Sequence, residues 1–189
     1  MVEKIAVIYQ SHYGAARQYA AWIAEELGAD LMERREVSPG TLTKYDCVIY
    51  GGGLYAGGIL GAGLVAKNPC NNLVVFTVGL ADPEITDYTA ILNKNFPEGS
   101  HKPLRTFHLR GAIDYKKLKL VHRVMMGMLK KLVGRKPVSK RSEEDNEFIR
   151  TYGNAVDFID RGTITPLISF AREVAPQDVQ GQTMKILRN

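Results

Sequence analysis

Three short stretches hold the residues best suited to grip a ligand. The first is Gln10-Ser11-His12-Tyr13-Gly14-Ala15-Ala16: one hydroxyl, one imidazole, one phenol and small residues. It follows the apolar run Lys4-Ile5-Ala6-Val7-Ile8-Tyr9 and precedes a helically spaced segment, Arg17 to Leu27. A strand, a small-residue loop and a helix in that order aim backbone N–H groups and a positive helix end at an anion, so the chemistry is phosphate binding. The second stretch, Gly51-Gly52-Gly53-Leu54-Tyr55-Ala56-Gly57-Gly58, follows the apolar run Cys47-Val48-Ile49-Tyr50. The third, Gly79-Leu80-Ala81-Asp82-Pro83, follows Leu73-Val74-Val75-Phe76-Thr77-Val78.

The type of phosphate is narrowed by what these loops lack. The first has no GxxxxGK[ST], which excludes a P-loop, and Gly14 is its only glycine, which excludes a dinucleotide fingerprint there. Gly51-x-Gly53-x-x-Ala56 imitates that fingerprint. It lies after the third strand, however, and no acid stands between Asp46 and Asp82 to hold a ribose. A mononucleotide remains. No side chain stands out as a general base, and no cluster reads as a metal site. Cys47 and Cys70 are far apart in no paired motif, which argues against a disulfide framework or zinc and for a reducing cytosol.

The elements that must position these loops can be read in order. Ala16, Ala20, Ile23, Ala24 and Leu27 share one face of the first helix, and Gly28 is placed to end it. Ala29 to Glu33 reads as a second strand, Cys47–Tyr50 as the third, Leu73–Val78 as the fourth and Leu104–Leu109 as the fifth. A helix to about Lys67 follows the second glycine loop. Another runs to about Asn95, with Asp82 as its N-cap and Pro83 at its first position. Nearly continuous apolar strands alternating with helices predict a parallel sheet covered on both faces, with ligands at the C-terminal strand ends. All three loops lie there.

After the fifth strand the composition changes. Residues 116–142 hold ten Lys/Arg and no acid, within a chain of 25 Lys/Arg and 20 Asp/Glu, so an acidic body carries one basic segment. Leu118, Val121, Val124, Met125, Met128, Leu129 and Leu132 fall on one helical stripe there, which reads most simply as a packed face. Gly134 and Pro137 end that helix. Ser142-Glu143-Glu144-Asp145 then caps a last main helix, expected through Phe148, Tyr152, Ala155, Val156 and Ile159 to Gly162. A short helix, Ile168–Val174, and a tail complete the chain. The charged N-terminal residues run straight into a strand without the pattern of a signal peptide, and no apolar run reaches the ~18 residues of a membrane span.

Ser11-x-x-Gly14, Gly51-Gly52-Gly53-Leu54, Val78-Gly79-Leu80 and Gly111-Ala112-Ile113-Asp114-Tyr115, in that order and spacing, resemble the flavodoxin-like superfamily. Within it they resemble most the menaquinone-dependent protoporphyrinogen oxidase branch. The resemblance spans about residues 3–160. It implies an α/β, doubly wound, five-stranded parallel sheet with helices on both faces and a basic helical insert, 116–141, after the fifth strand. The flavodoxin-like domain would be 1–162 and 163–189 a C-terminal extension. FMN would be the cofactor, with its phosphate at Ser11, His12, Tyr13, Gly14, Ala15 and Ala16. Its ring would lie beside Gly52, Gly53, Leu54, Tyr55, Val78, Gly79 and Leu80. Flavodoxin phosphate loops usually carry a hydroxyl at the position of Ala16; this chain does not.

The implied function is an FMN oxidoreductase that passes electrons from a reduced tetrapyrrole, a porphyrinogen, to a quinone. It would be cytoplasmic, at the inner face of a membrane contacted through 116–141, with no nucleic-acid partner. Two other readings stand beside it: a flavodoxin-type electron carrier that docks a redox partner protein, and a flavin-free interaction module of the same fold.

Overall fold

In the computed structural model of the chain, which describes residues 4–175, five parallel strands form the centre. Ile5–Gln10 (β1) pairs with Asp30–Glu33 (β2) on one side and Cys47–Tyr55 (β3) on the other. Beyond β3 lie Asn72–Gly79 (β5) and then Arg105–Arg110 (β6); Gly58–Ile59 (β4) is a short antiparallel return against β3. The order β2-β1-β3-β5-β6 is the flavodoxin-like doubly wound order, and its switch point lies between β1 and β3.

Both faces of the sheet are covered, as the continuous apolar strands require. On one face, Ala15–Leu27 (α1) buries Ala16, Tyr19, Ala20, Ile23 and Ala24 against Val7, Ile49, Val74 and Phe76. On the other, Gly63–Lys67 (α2) and Thr89–Asn95 (α3) pack with Leu42 over Ile8, Tyr50 and Val75. Alanines at the α1 contact let helix and sheet approach closely. Gly28, at φ +60, closes α1 by donating to the carbonyls of Ala24 and Glu25.

Four boundaries differ from the sequence reading. First, Gly51, Gly52 and Gly53 are buried inside β3 instead of forming a loop. A Cβ on Gly51 would sit 2.0 Å from Cζ of Phe76, so tertiary packing selects glycine there. Second, Asp82 does not begin a long helix. Its carboxylate accepts from the N–H of Glu84 in a local turn, and α3 starts only at Thr89.

Third, the last main helix is split. Glu143–Thr151 (α5) ends before Gly153 at φ +88, and Ala155–Asp157 (β8) then pairs antiparallel with Ala112–Asp114 (β7). Spacing alone let Ala155, Val156 and Ile159 pass for a continued helical face. Fourth, the expected extension from 163 begins with a core helix. Thr165–Val174 (α6) buries Leu167, Ile168 and Ala171 in the same cluster as α1. The tail beyond it falls outside the described residues.

The insert forms Leu120–Arg135 (α4), the longest helix among the described residues, but its apolar stripe does not pack. Val133 is its one buried residue, while Val121 is 74 % exposed, Met128 62 % and Leu132 61 %. α4 is held mainly by α5 on its other side.

Candidate cofactor site at the ends of the parallel strands

The sheet brings the three sequence loops together beyond its C-terminal edge. Ala15 and Val78 are joined across Gly111, whose Cβ would lie 2.9 Å from Val78 and 3.5 Å from Ala15. Leu54 reaches the third loop, its Cδ1 standing 3.1 Å from where a Cβ of Gly79 would be. Tyr55 reaches the first, with its ring centroid 5.0 Å from that of His12 and 6.5 Å from that of Tyr13. Ala16, Gly52, Gly53 and Val78 are buried, so their share in a site is to shape it and to offer backbone.

The first loop leaves backbone donors free at the start of α1. Gly14 caps α1 at φ +97, a conformation costly for other residues, with no side-chain cap on the helix. Ser11 Oγ accepts from the Gly14 N–H at 3.0 Å and fixes the turn. The first helical bond is donated by Gln18 to the Gly14 carbonyl. The N–H groups of Ala15, Ala16 and Arg17 therefore have no partner within the helix, and no acid stands in its first turn. These features fit a phosphate monoester.

The second loop is a tight hairpin. Ala56 and Gly57 both have positive φ, 50° and 71°, as a two-residue turn of mirror-image type requires. α3 braces it: Asn95 Oδ1 accepts from the Ile59 N–H at 2.9 Å, and Lys94 Nζ donates to the Ala56 carbonyl at 3.0 Å. Tyr55 is thereby held at the hairpin's base, and burial pushes its phenol up to about 12, so it stays neutral.

The third loop is fixed by a residue the sequence reading passed over. Arg110 donates to the Leu80 carbonyl through Nε at 3.3 Å and Nη2 at 3.1 Å. The same guanidinium bonds Glu147 of α5 at 2.7 Å, lies 3.5 Å from Asp82, and stacks over Phe158 at 3.7 Å. A lone arginine at the end of a strand carries no sequence signal for this; the partners come from three separate segments.

His122 is the second residue missed. It reaches from α4 to the first loop, and Tyr13 and His122 share a 2.6 Å hydrogen bond. The Tyr13 hydroxyl oxygen also accepts from the Lys119 N–H at 3.1 Å. Its proton is then assigned to His122 Nδ1, which leaves Nε2–H as the imidazole's remaining donor. His12, Tyr13, Tyr55 and His122 form one aromatic cluster. Tyr115 packs on Tyr152 at 4.8 Å, outside it.

The arrangement holds no nucleophile set to attack. Cys47 and Cys70 are buried and free, and burial raises their thiols to about 12 and about 11. Among the described residues, no group of three or more His, Cys, Asp or Glu could hold a metal ion.

Solved structures similar to the chain include oxidised Flavodoxin 2 from Bacillus cereus, with 18 % identity, a TM-score of 0.44, and 57 % of this chain and 84 % of that one covered. Oxidised Flavodoxin 1 from the same organism has 15 % identity and a TM-score of 0.42, covering 71 % of this chain and 99 % of that one. A flavoprotein in complex with FMN from Lactobacillus acidophilus NCFM has 11 % identity and a TM-score of 0.40, covering 57 % and 93 %. No curated protein matches the chain. The flavodoxin domain family matches residues 6–140, a span from β1 through the three loops and into the insert. The chain belongs to the flavodoxin domain family.

Proposed function

We propose that this protein is an FMN-dependent oxidoreductase that passes electrons from a reduced tetrapyrrole to a quinone at an anionic membrane surface. The broader statement, a flavodoxin-domain protein that carries electrons on FMN, follows from the family. FMN supplies a two-electron acceptor that can release electrons to a second substrate. The chain's part is to bind and orient it. Backbone N–H groups of Ala15, Ala16 and Arg17 would hold the phosphate. Leu54, Tyr55, Gly79 and Leu80 would flank the ring, with Leu80 kept in place by Arg110. Each turnover takes two electrons and two protons from the macrocycle and delivers two of each to the quinone.

One observation carries the finer reading: the outward apolar stripe of α4. Leu120, Val121, Val124, Met128 and Leu132 are all exposed, on a segment with ten bases and no acid. A helix with an apolar face and only positive charge suits an anionic interface, where quinone and an apolar, propionate-bearing substrate also partition. No helix among the described residues is long and apolar enough to cross a membrane.

The test uses FMN-loaded protein with vesicles containing anionic lipid and a quinone. The wild type is expected to sediment with the vesicles and oxidise protoporphyrinogen. Val121→Ser/Met128→Ser/Leu132→Ser is expected to lose both while keeping FMN. The acidic body favours a second reading, an electron carrier for a protein partner. Loaded protein that reduces an acceptor protein but oxidises no porphyrinogen would establish that reading instead.

A further inference from the structure

The phosphate loop of this chain is short of donors. Ser11, whose Oγ accepts from the Gly14 N–H, keeps a single O–H to donate, and Ala15 and Ala16 offer no hydroxyl. A dianion held by these neutral donors alone gains less than one that also meets a charged donor. The missing donors stand on a different element. α4 begins beside this loop, where the Lys119 N–H and the His122 ring both bond the Tyr13 hydroxyl. His12 and His122 rings lie 5.4 Å apart.

We propose that the insert completes the cofactor's phosphate site: His122, fastened to Tyr13, supplies an imidazole N–H donor and Lys119 supplies positive charge beside His12, where Ala15 and Ala16 offer no side-chain donor. The ligand chemistry is the phosphate monoester of FMN, so the inference rests on the FMN reading and deepens it.

Three observations converge on this assignment. The Tyr13 network leaves His122 Nε2–H without a partner among the described residues, so a donor is free at the loop. No carboxylate among the described residues forms an ion pair with His12, Lys119 or His122, so the Lys119 charge is not spent within the protein. Finally, burial first, and then the neighbouring His122 and Lys119, lower the pKa of His12, which places both insert residues close enough to the loop to act on a group bound there. The same bonds explain why α4, so little buried, starts at this point of the surface. Tyr13 serves as its anchor.

The experiment compares FMN with riboflavin, which lacks only the phosphate. Dissociation constants are read from quenching of flavin fluorescence in the wild type, His122→Gln, Lys119→Gln and Tyr13→Phe. In the wild type FMN is expected to bind far more tightly than riboflavin. His122→Gln and Lys119→Gln are each expected to cut that preference about five- to tenfold, with riboflavin affinity unchanged. Tyr13→Phe, which removes the fastening and leaves the His122 donor and the Lys119 charge, is expected to cut it less. Thermal melting of each free variant reports folding separately. A preference for FMN equal to wild type in both His122→Gln and Lys119→Gln would overturn the inference and leave the FMN reading standing. A wild type that binds neither flavin would overturn both.

Discussion

α1 and α4 are both amphipathic, yet the protein uses them in opposite ways. α1 turns its apolar face to the sheet and buries five residues. α4 is longer, with a comparable apolar stripe, and buries only Val133. The difference lies in side-chain size and in what is adjacent. Alanines along α1 permit close contact with β1, β3 and β5. The Leu, Val and Met side chains of α4 stand well off its backbone, and no strand lies beneath them. An amphipathic pattern says that a face needs a partner; it does not say the partner is part of the same chain.

Truncations should separate the two helices sharply. Ile23→Ala removes a fully buried side chain and is expected to cost about 2–5 kcal/mol. Leu132→Ala and Met128→Ala are expected to stay within about 0.5 kcal/mol. Urea unfolding midpoints check both, and a costly Leu132→Ala would show that α4 is packed after all. Gly51→Ala probes the sheet that α1 covers. Its new methyl would meet the Phe76 ring, and a loss of about 1–3 kcal/mol is expected in the same assay.

The contrast extends to two histidines. His122 stands at the surface junction of α4, whereas His108 lies in the body, stacked on Tyr88 at 3.5 Å and bonded to Thr77 at 2.6 Å. Burial lowers His108 to about 4. The unfolded chain, with an imidazole near 6.5, binds this proton first. Stability is therefore expected to fall as pH drops below about 6.5 and to go on falling toward about 4. His108→Gln should flatten that acid limb in pH-dependent urea titrations, and His122→Gln should not. The smallest effect is expected at the hairpin. Ala56 at φ +50 sits where asparagine is favoured, so Ala56→Asn should gain under about 1 kcal/mol, read as a higher Tm.

β1, β3 and β5 were legible because each contains a nearly continuous apolar run, and the alternation of strands with helices located β2 and β6 between them. The rest depended on contacts at long range. Gly51, Gly52 and Gly53 look like loop residues until Phe76 is placed across from Gly51. Ala155 and Val156 keep helical spacing with Phe148 and Tyr152, and only the turn at Gly153 moves them into a ribbon with β7. The stripe of α4 was visible as a stripe, but its outward orientation was not. Arg110 and His122 acquire meaning from partners dozens of residues away, a distance over which periodicity carries no information.

The β7–β8 ribbon also bears on the history of the chain. Ile113 and Val156 are paired residues, so the point where the polypeptide leaves the sheet scaffold and the point where it rejoins are side by side. Everything between them is an excursion whose entry and exit are already closed, leaving the order of the five parallel strands untouched. Such a segment can be gained, lost or exchanged between relatives as a cassette. Transplanted with its ribbon onto another scaffold of this fold, it would carry its apolar face along, and its new host would need a tyrosine at the position of Tyr13 and an arginine at that of Arg110 to fasten it.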